Sequence, residues 1–368
     1  MRVKLEDVCE RGTSSLMQKD IVDKNGKYPV YGASGRIGSM ETYQQEHQTV
    51  AVVKDGAGIG RTMLLPEKSS IIGTMQYLIP KNCIEPEYLY YAVKYMHLEK
   101  YFSGATIPHI YFRDYKTEEF NLHNKTEQQE IISTLKRVEA VISNRREQLA
   151  MLDELVKARF VEMFGDPISN PFGFKVKTLQ KMIDDGTIMY HLDGNHGSDY
   201  PRNEEFVECG VPYISANCIV HNDVNLKLAK HLTEERASKL RKGIAQNGDV
   251  LFAHNATVGP VAILYTDDEK VILGTSLTAY RCDKERMVPD YLKAYMQSEG
   301  FVCQYTKDMK QTTRNQVPIT AQRKFLFVIP PLSLQNQFAD FVAEVDKSKL
   351  LAELFAQSTC ILAENRSK

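Results

Sequence analysis

A chain of 368 residues carries 46 Lys and Arg against 47 Asp and Glu, a formal net charge of −1, with 43% hydrophobic and 25% charged residues. That length exceeds one ordinary core and predicts two domains with connectors; the composition excludes a disordered or fibrous chain. Near-neutral charge argues against gripping nucleic acid by overall electrostatics alone, though not against local basic patches or a partner that completes the clamp.

The cysteines (Cys9, Cys83, Cys209, Cys218, Cys282, Cys303, Cys360) are odd in number and form no C-x-x-C pair. Neither a disulfide framework nor a zinc site is expected, and reduced thiols in a cytoplasm fit better. No apolar run approaches the roughly 18 residues of a membrane helix. The start, Met1-Arg2-Val3-Lys4-Leu5-Glu6-Asp7, lacks the apolar stretch of a signal peptide, so a cytoplasmic location is expected.

In chain order, short β-branched or aromatic runs at 49–54, 62–65, 70–72 and 76–79 predict strands, and Pro86 suits the first turn of a short helix carrying Tyr88-Leu89. A long helix follows from 126 to 164. Further strands are expected at 249–253 and 261–265, a second short helix after Pro289 carrying Tyr291-Leu292, and a second long helix at about 334–364. These landmarks form a repeat. Val3-Lys4-Leu5 returns as Val176-Lys177-Thr178-Leu179, and Tyr28-Pro29-Val30-Tyr31 as Val211-Pro212-Tyr213-Ile214. The run Val50-Ala51-Val52-Val53 returns as Val250-Leu251-Phe252-Ala253, Gly73-Thr74 as Gly274-Thr275, and Pro86-Glu87-Tyr88-Leu89 as Pro289-Asp290-Tyr291-Leu292. Glu127-Gln128-Gln129 resembles Gln335-Asn336-Gln337. Extra residues in the second pass, around 190–203 and 221–246, are expected in surface loops.

The first long helix carries apolar residues at Ile131, Leu135, Val138, Ile142, Leu149, Leu152, Val156 and Met163, a heptad seam with Arg145 and Arg159 at the skipped positions. Nothing breaks it before Gly165-Asp166-Pro167, and at 1.5 Å per residue it makes a rod of about 58 Å. The second helix starts its seam with Phe338, Val342 and Val345. The fold class expected is α+β: two pseudo-repeated strand-rich domains separated by a pair of long antiparallel coiled-coil helices. The boundaries are 1–125 for the first domain, 126–166 for the first helix, 167–333 for the second domain and 334–368 for the second helix.

Catalytic motifs occur only in fragments. Gly56-Ala57-Gly58-Ile59-Gly60 is followed by strand residues and not by the helix N-terminus that a phosphate cradle needs, so a tight turn is expected. Asp268-Glu269-Lys270 has an acid-x-Lys spacing inside a charged turn, and Asn170-Pro171-Phe172 reads as a linker turn. His191 and His196 flank Asp193 in a Gly- and Asp-rich stretch, for which a polar surface loop is preferred over a metal site.

The loops do hold residues suited to base edges and phosphates. In the first domain these are Tyr31, Ser34, Arg36, Lys54, Arg61, Gln76, His109, Tyr111 and Arg113. In the second they are Ser215, Asn217, His254, Asn255, Thr257, Thr275, Ser276, Thr313, Arg314, Asn315 and Gln316. Arg and Lys can read guanine, Asn and Gln adenine, and Gly lets backbone approach phosphate.

Three motifs carry a family resemblance: Lys4-Leu5-Glu6-Asp7-Val8, the helix entry Pro330-Pro331-Leu332-Ser333-Leu334-Gln335-Asn336-Gln337, and Leu152 to Leu155 followed by Phe164-Gly165-Asp166-Pro167. With the repeat and the helices, the chain resembles the specificity subunit of type I restriction–modification systems. It departs from the pattern at Asn121-Leu122-His123-Asn124-Lys125, where a proline pair is usual, and the final helix stops early, at Lys368. The resemblance implies two target-recognition domains that read a bipartite, asymmetric double-stranded DNA target. It also implies helices that act as spacer and docking surface for two methyltransferase subunits, with motor-nuclease subunits joining. The chain itself would be no enzyme and would bind no cofactor; the partners would use S-adenosylmethionine, ATP and Mg. The alternatives are a stand-alone nuclease or methyltransferase, and a coiled-coil adaptor that binds only protein.

Overall fold

The computed structural model describes residues 1–21, 26–104, 108–309 and 315–367, with side chains described except at 198, 307–309 and 352–367. The chain divides into two units, Met1–Ser143 with Thr359–Lys368, and Asn144–Ser358. Unit 1 comprises β1 (Arg2–Lys4), α1 (Leu5–Val8), β2 (Cys9–Thr13), β3 (Tyr28–Gly32), β4 (Gly35–Met40), β5 (Thr49–Val53), β6 (Thr62–Leu65), β7 (Ser70–Ile71), β8 (Met75–Pro80), α2 (Pro86–Tyr95), α3 (Phe112–Tyr115), β9 (Glu119–Asn121) and the start of α4 (Lys125–Phe164).

Strand β5 organises the unit. Its five residues Thr49-Val50-Ala51-Val52-Val53 are all buried, and it pairs with β8 and β6 in a sheet of order β2-β8-β5-β6. Side chains alternate across a strand. Val50 and Val52 therefore enter one core with Leu78, Leu89 and Ile110, while Ala51 and Val53 enter another with Leu65, Ile71 and Tyr77. Burial on both faces is why the run is apolar without alternation. A second sheet, β4-β3-β7, pairs β3 parallel to β7, and β1 pairs with β9.

Unit 2 holds the rest of α4, then β10 (Lys175–Thr178), α5 (Leu179–Asp184), β11 (Ile188–Asp193), β12 (Phe206–Val207), β13 (Val211–Ile214), β14 (Ile219–Val220), β15 (Asp223–Val224), β16 (Lys230–Leu232), α6 (Glu234–Ser238), β17 (Ile244–Ala245), β18 (Val250–Asn255), β19 (Thr257–Ile263), β20 (Val271–Leu273), β21 (Leu277–Cys282), α7 (Pro289–Gln297), α8 (Glu299–Met309), α9 (Ile319–Gln322), β22 (Leu326–Ile329) and most of α10 (Leu332–Ser367). The sheet β11-β21-β18-β19 repeats β2-β8-β5-β6, β13 runs parallel to β20 as β3 does to β7, and β10 pairs with β22.

The repetition extends to single hydrogen bonds. Leu5 N donates to Glu118 O at 2.9 Å, and Leu179 N to Phe325 O at 2.8 Å. The Tyr88 hydroxyl donates to Asn121 O, and that of Tyr291 to Val328 O, both at 2.7 Å. Gln128, fully buried, accepts from Glu85 N at 2.8 Å; Gln335, equally buried, accepts from Val288 N at 2.9 Å and donates to Pro330 O at 2.9 Å. Each glutamine thus ties the residue before a short helix to the first turn of a long one. The structural register pairs Gln128 with Gln335 and Leu5 with Leu179.

The extra residues of unit 2 differ from expectation. Residues 188–193 are β11, a member of the main sheet. The stretch 221–246 supplies β15, β16, α6 and β17, which widen the second sheet to the order β12-β16-β13-β20-β17 or flank it. The inserted chain pairs its backbone instead of looping freely.

Helix α4 opens with a reciprocal cap, in which Glu127 N donates to Asn124 Oδ1 at 3.0 Å and Asn124 N to Glu127 Oε2 at 3.2 Å. It stops at Gly165, whose φ of +73° and 2.4 Å approach of a would-be Cβ to Pro171 admit no other residue without strain. Ile131, Leu135, Val138, Ile142, Leu149, Leu152 and Val156 form a half-buried stripe, and Arg145 and Arg159 lie in it. Within unit 2, Lys349 pairs with Asp153 at 2.7 Å, Arg159 lies over Phe341 and Phe164 packs on Phe338. Numbers rise along α4 as they fall along α10, so the helices are antiparallel there. Phe338 and Val345 are buried and Val342 half-buried. Among the described residues, no helix is long and apolar enough to cross a membrane.

Candidate nucleic-acid interface

In unit 1 the expected contact residues gather where β5 ends. Lys54 N donates to Thr74 O at 3.0 Å, Ile110 N donates to Lys54 O at 2.9 Å, and Gly56 N to Pro108 O at 2.9 Å. The rim thus joins the end of β5 to the segment before α3. Asp55 accepts from His109 Nδ1 at 2.7 Å and from Lys54. Arg61 donates to Ala33 O at 2.7 Å, which ties the β5–β6 loop to the β3–β4 turn bearing Ser34 and Arg36, both exposed, and to the half-buried Tyr31. Arg113 lies 4.8 Å from the exposed Tyr111 ring, and His109 stacks beside the same ring. The glycine-rich segment 56–60 is a turn between β5 and β6. A Cβ on Gly60 would lie 2.6 Å from Glu99 N, so that glycine serves close backbone packing.

In unit 2 the same rim forms at the end of β18. His254 N donates to Ser276 O at 3.0 Å, Val317 N to His254 O at 2.8 Å, and Ala256 N to Asn315 O at 3.0 Å. Ser276 Oγ accepts from Ala216 N at 2.9 Å, bringing Ser215 and the exposed Asn217 alongside. Thr257 and Asn315 are exposed, and Asn255, Thr275 and Gln316 half-buried. Thr313 and Arg314, with Thr106 and Ile107 of unit 1, lie outside the described residues.

Two expected contact residues face inward. Gln76 is 2% exposed on β8, and its Nε2 has no partner among the described residues. His254 is 1% exposed and its Nδ1 donates to Val317 O at 3.1 Å. Even positions near a strand end remain inside the sheet when they alternate toward the core. Asp55, which joins Lys54 to His109, was missed by the sequence reading; its signal is only that it follows Lys54 where the apolar run ends.

His191 corrects the surface-loop reading. It sits buried on β11, and its Nε2 donates to Gln322 Oε1 at 3.1 Å. Gln322, fully buried, also accepts from Tyr280 at 2.6 Å and donates to Thr278 Oγ1 and Val317 O. His196 pairs instead with Asp193 at 2.8 Å, and among the described residues no group of three side chains is placed to hold a metal. Burial pushes His191 down to about 4 from an ordinary 6.5, and pushes His254 down too. The unfolded chain takes up the His191 proton from about pH 6.5 and the fold only near 4. Stability is therefore whole above pH 6.5 and falls, by up to about 3 kcal/mol, as pH drops toward 4. His191→Gln should flatten that limb of the unfolding midpoint against pH; an unchanged slope would acquit this residue.

Comparison with known proteins places the architecture. Residues 1–152 match the family model described as the type I restriction modification DNA specificity domain. The type I restriction enzyme MjaIX specificity subunit of Methanocaldococcus jannaschii is 27% identical over 154 residues, 39% of this chain and 36% of that protein, so the match spans about a third of the relative's length. The S subunit of a type I restriction–modification system from M. genitalium superposes with a TM-score of 0.59 at 16% identity, covering 100% of this chain and 95% of the other. A chain from a structure on the assembly and conformational transition of the type I R-M system gives 0.52 at 15%, covering 99% and 94%. The fold is that of a specificity subunit. Residues 1–152 carry the match to the type I specificity-domain model, and over its whole length the chain is similar in fold to solved type I S subunits.

Proposed function

We propose that this chain is the sequence-reading, non-catalytic component of a type I restriction–modification complex. Each unit reads one part of a split, asymmetric double-stranded DNA target through the rim at the end of β5 or β18. The observation that carries the reading is the pair of equivalent rims, alike in backbone and unlike in side chains, within a fold of this family. Different side chains on one frame support an asymmetric target. On this reading residues 1–125 and 167–333 are the target-recognition domains, and 126–166 and 334–368 the spacer helices.

Helices α4 and α10 dock two methyltransferase subunits, which motor-nuclease subunits join. Exposed apolar residues off the seam support this, namely Val141, Met151, Leu155 and Val161 on α4. Ile132, also apolar and off the seam, is 3% exposed in the unit 1 core and takes no part. S-adenosylmethionine, ATP and Mg would be held by the partners. Co-expression with type I methyltransferase subunits, followed by co-purification and modified-base sequencing, tests the proposal. The expected result is a stable complex that methylates a two-part motif only when this chain is present. Methylation of the same motif without the chain would overturn it.

A further inference from the structure

The two rims share a backbone bridge and differ in what it carries. Asp55 bridges His109 in unit 1, and Asn255 bridges Gln316 in unit 2. The flanking bonds correspond one to one, Gly56 to Pro108 with Ala256 to Asn315, and Ile110 to Lys54 with Val317 to His254. Each couple therefore leaves the backbone at the same place in its unit.

The chemistry at that place is opposite in kind. In unit 1 the Asp55 carboxylate is engaged on both oxygens, one by Lys54 and one by His109. What remains to donate is the rest of the Lys54 ammonium, 28% exposed, beside an imidazole, 34% exposed, whose Nδ1–H is spent on Asp55. Guanine presents two acceptors in the major groove, O6 and N7, to such donors. In unit 2 the residue equivalent to Lys54 is His254, turned inward and committed to Val317. The half-buried amides of Asn255 and Gln316 have no hydrogen-bond partner among the described residues. An amide offers a donor beside an acceptor, the complement of adenine N7 and N6–H.

We infer that this bridge is the base-reading point of each unit, taking a guanine in unit 1 and an adenine in unit 2, with Asp55 as the positioning residue. The inference rests on the DNA-reading role proposed above. The test compares methylated motifs of the assembled methyltransferase carrying the wild-type chain, Lys54→Ala with His109→Ala, Asn255→Ala with Gln316→Ala, and the isosteric Asn255→Asp.

The first pair of substitutions should relax one G·C position in one part of the motif by about 5- to 150-fold and leave the other part intact. The second pair should relax one A·T position in the other part to a similar degree. Asn255→Asp keeps the shape but only accepts, so it should shift that adenine toward cytosine, whose N4 donates. A defined motif left intact by these variants, relaxed equally in both parts, or relaxed at the opposite base types would overturn the inference and spare the reading role. Methylation by the wild-type complex without sequence preference would bring down both.

Discussion

Gln335→Ala is expected to destabilise the protein by about 3 kcal/mol, since it strands the Val288 N–H and the Pro330 carbonyl in a buried junction. The residue is fully covered, so water cannot take over without opening the start of α10. Gln335→Met keeps the volume and removes the amide, and should restore little. The same change at Gln128 should act on unit 1, where the amide serves Glu85, Cys83 and His123. Chemical denaturation measures both. A loss below about 1 kcal/mol at Gln335 would mean that the packing around it, not the amide, holds the junction.

Phe160→Ala should cost about 3–5 kcal/mol, the range for emptying a buried aromatic site. The ring is 4% exposed and lies 5.8 Å from both Tyr291 and Phe338, with Phe164 at 5.2 Å. The cavity would open inside a four-ring cluster that fastens the end of α4 to the core of unit 2. Val161→Ala, one residue on but 55% exposed, should stay within about 0.5 kcal/mol. Thermal unfolding of the pair separates them, and equal losses would refute the cluster as the anchor.

These two sites also show where sequence reading works and where it stops. The half-buried stripe of α4 was legible because a heptad period survives any local environment, and even Arg145 and Arg159 fall in it. Ile132, Phe160 and Phe164 were not legible as anchors. Each sits one position past the seam, where a helix entering a globular core needs a wider apolar face than a helix pairing with another helix. Strand β5 was legible from its β-branched run. The bridges of Asp55 to His109 and of Asn255 to Gln316 were not, because they join residues more than fifty positions apart and local pattern holds no trace of them. Gln76 and His254 show the converse error, since residue type suggested contact and strand alternation turned both inward.

The Gln322 hub has a consequence for how freely each unit can change over generations. In unit 2 one amide engages the side chains of His191, Tyr280 and Thr278 and the Val317 carbonyl, so drift at any of the three side chains strands a buried polar group and is purged unless two changes arrive together. Tyr115 stands at the matching place in unit 1, fully buried, with a hydroxyl that has no partner among the described residues. Losing that hydroxyl to phenylalanine orphans nothing. Ancestry should therefore have left unit 1 the looser lineage beneath its rim, and unit 2 one in which substitutions travel in pairs.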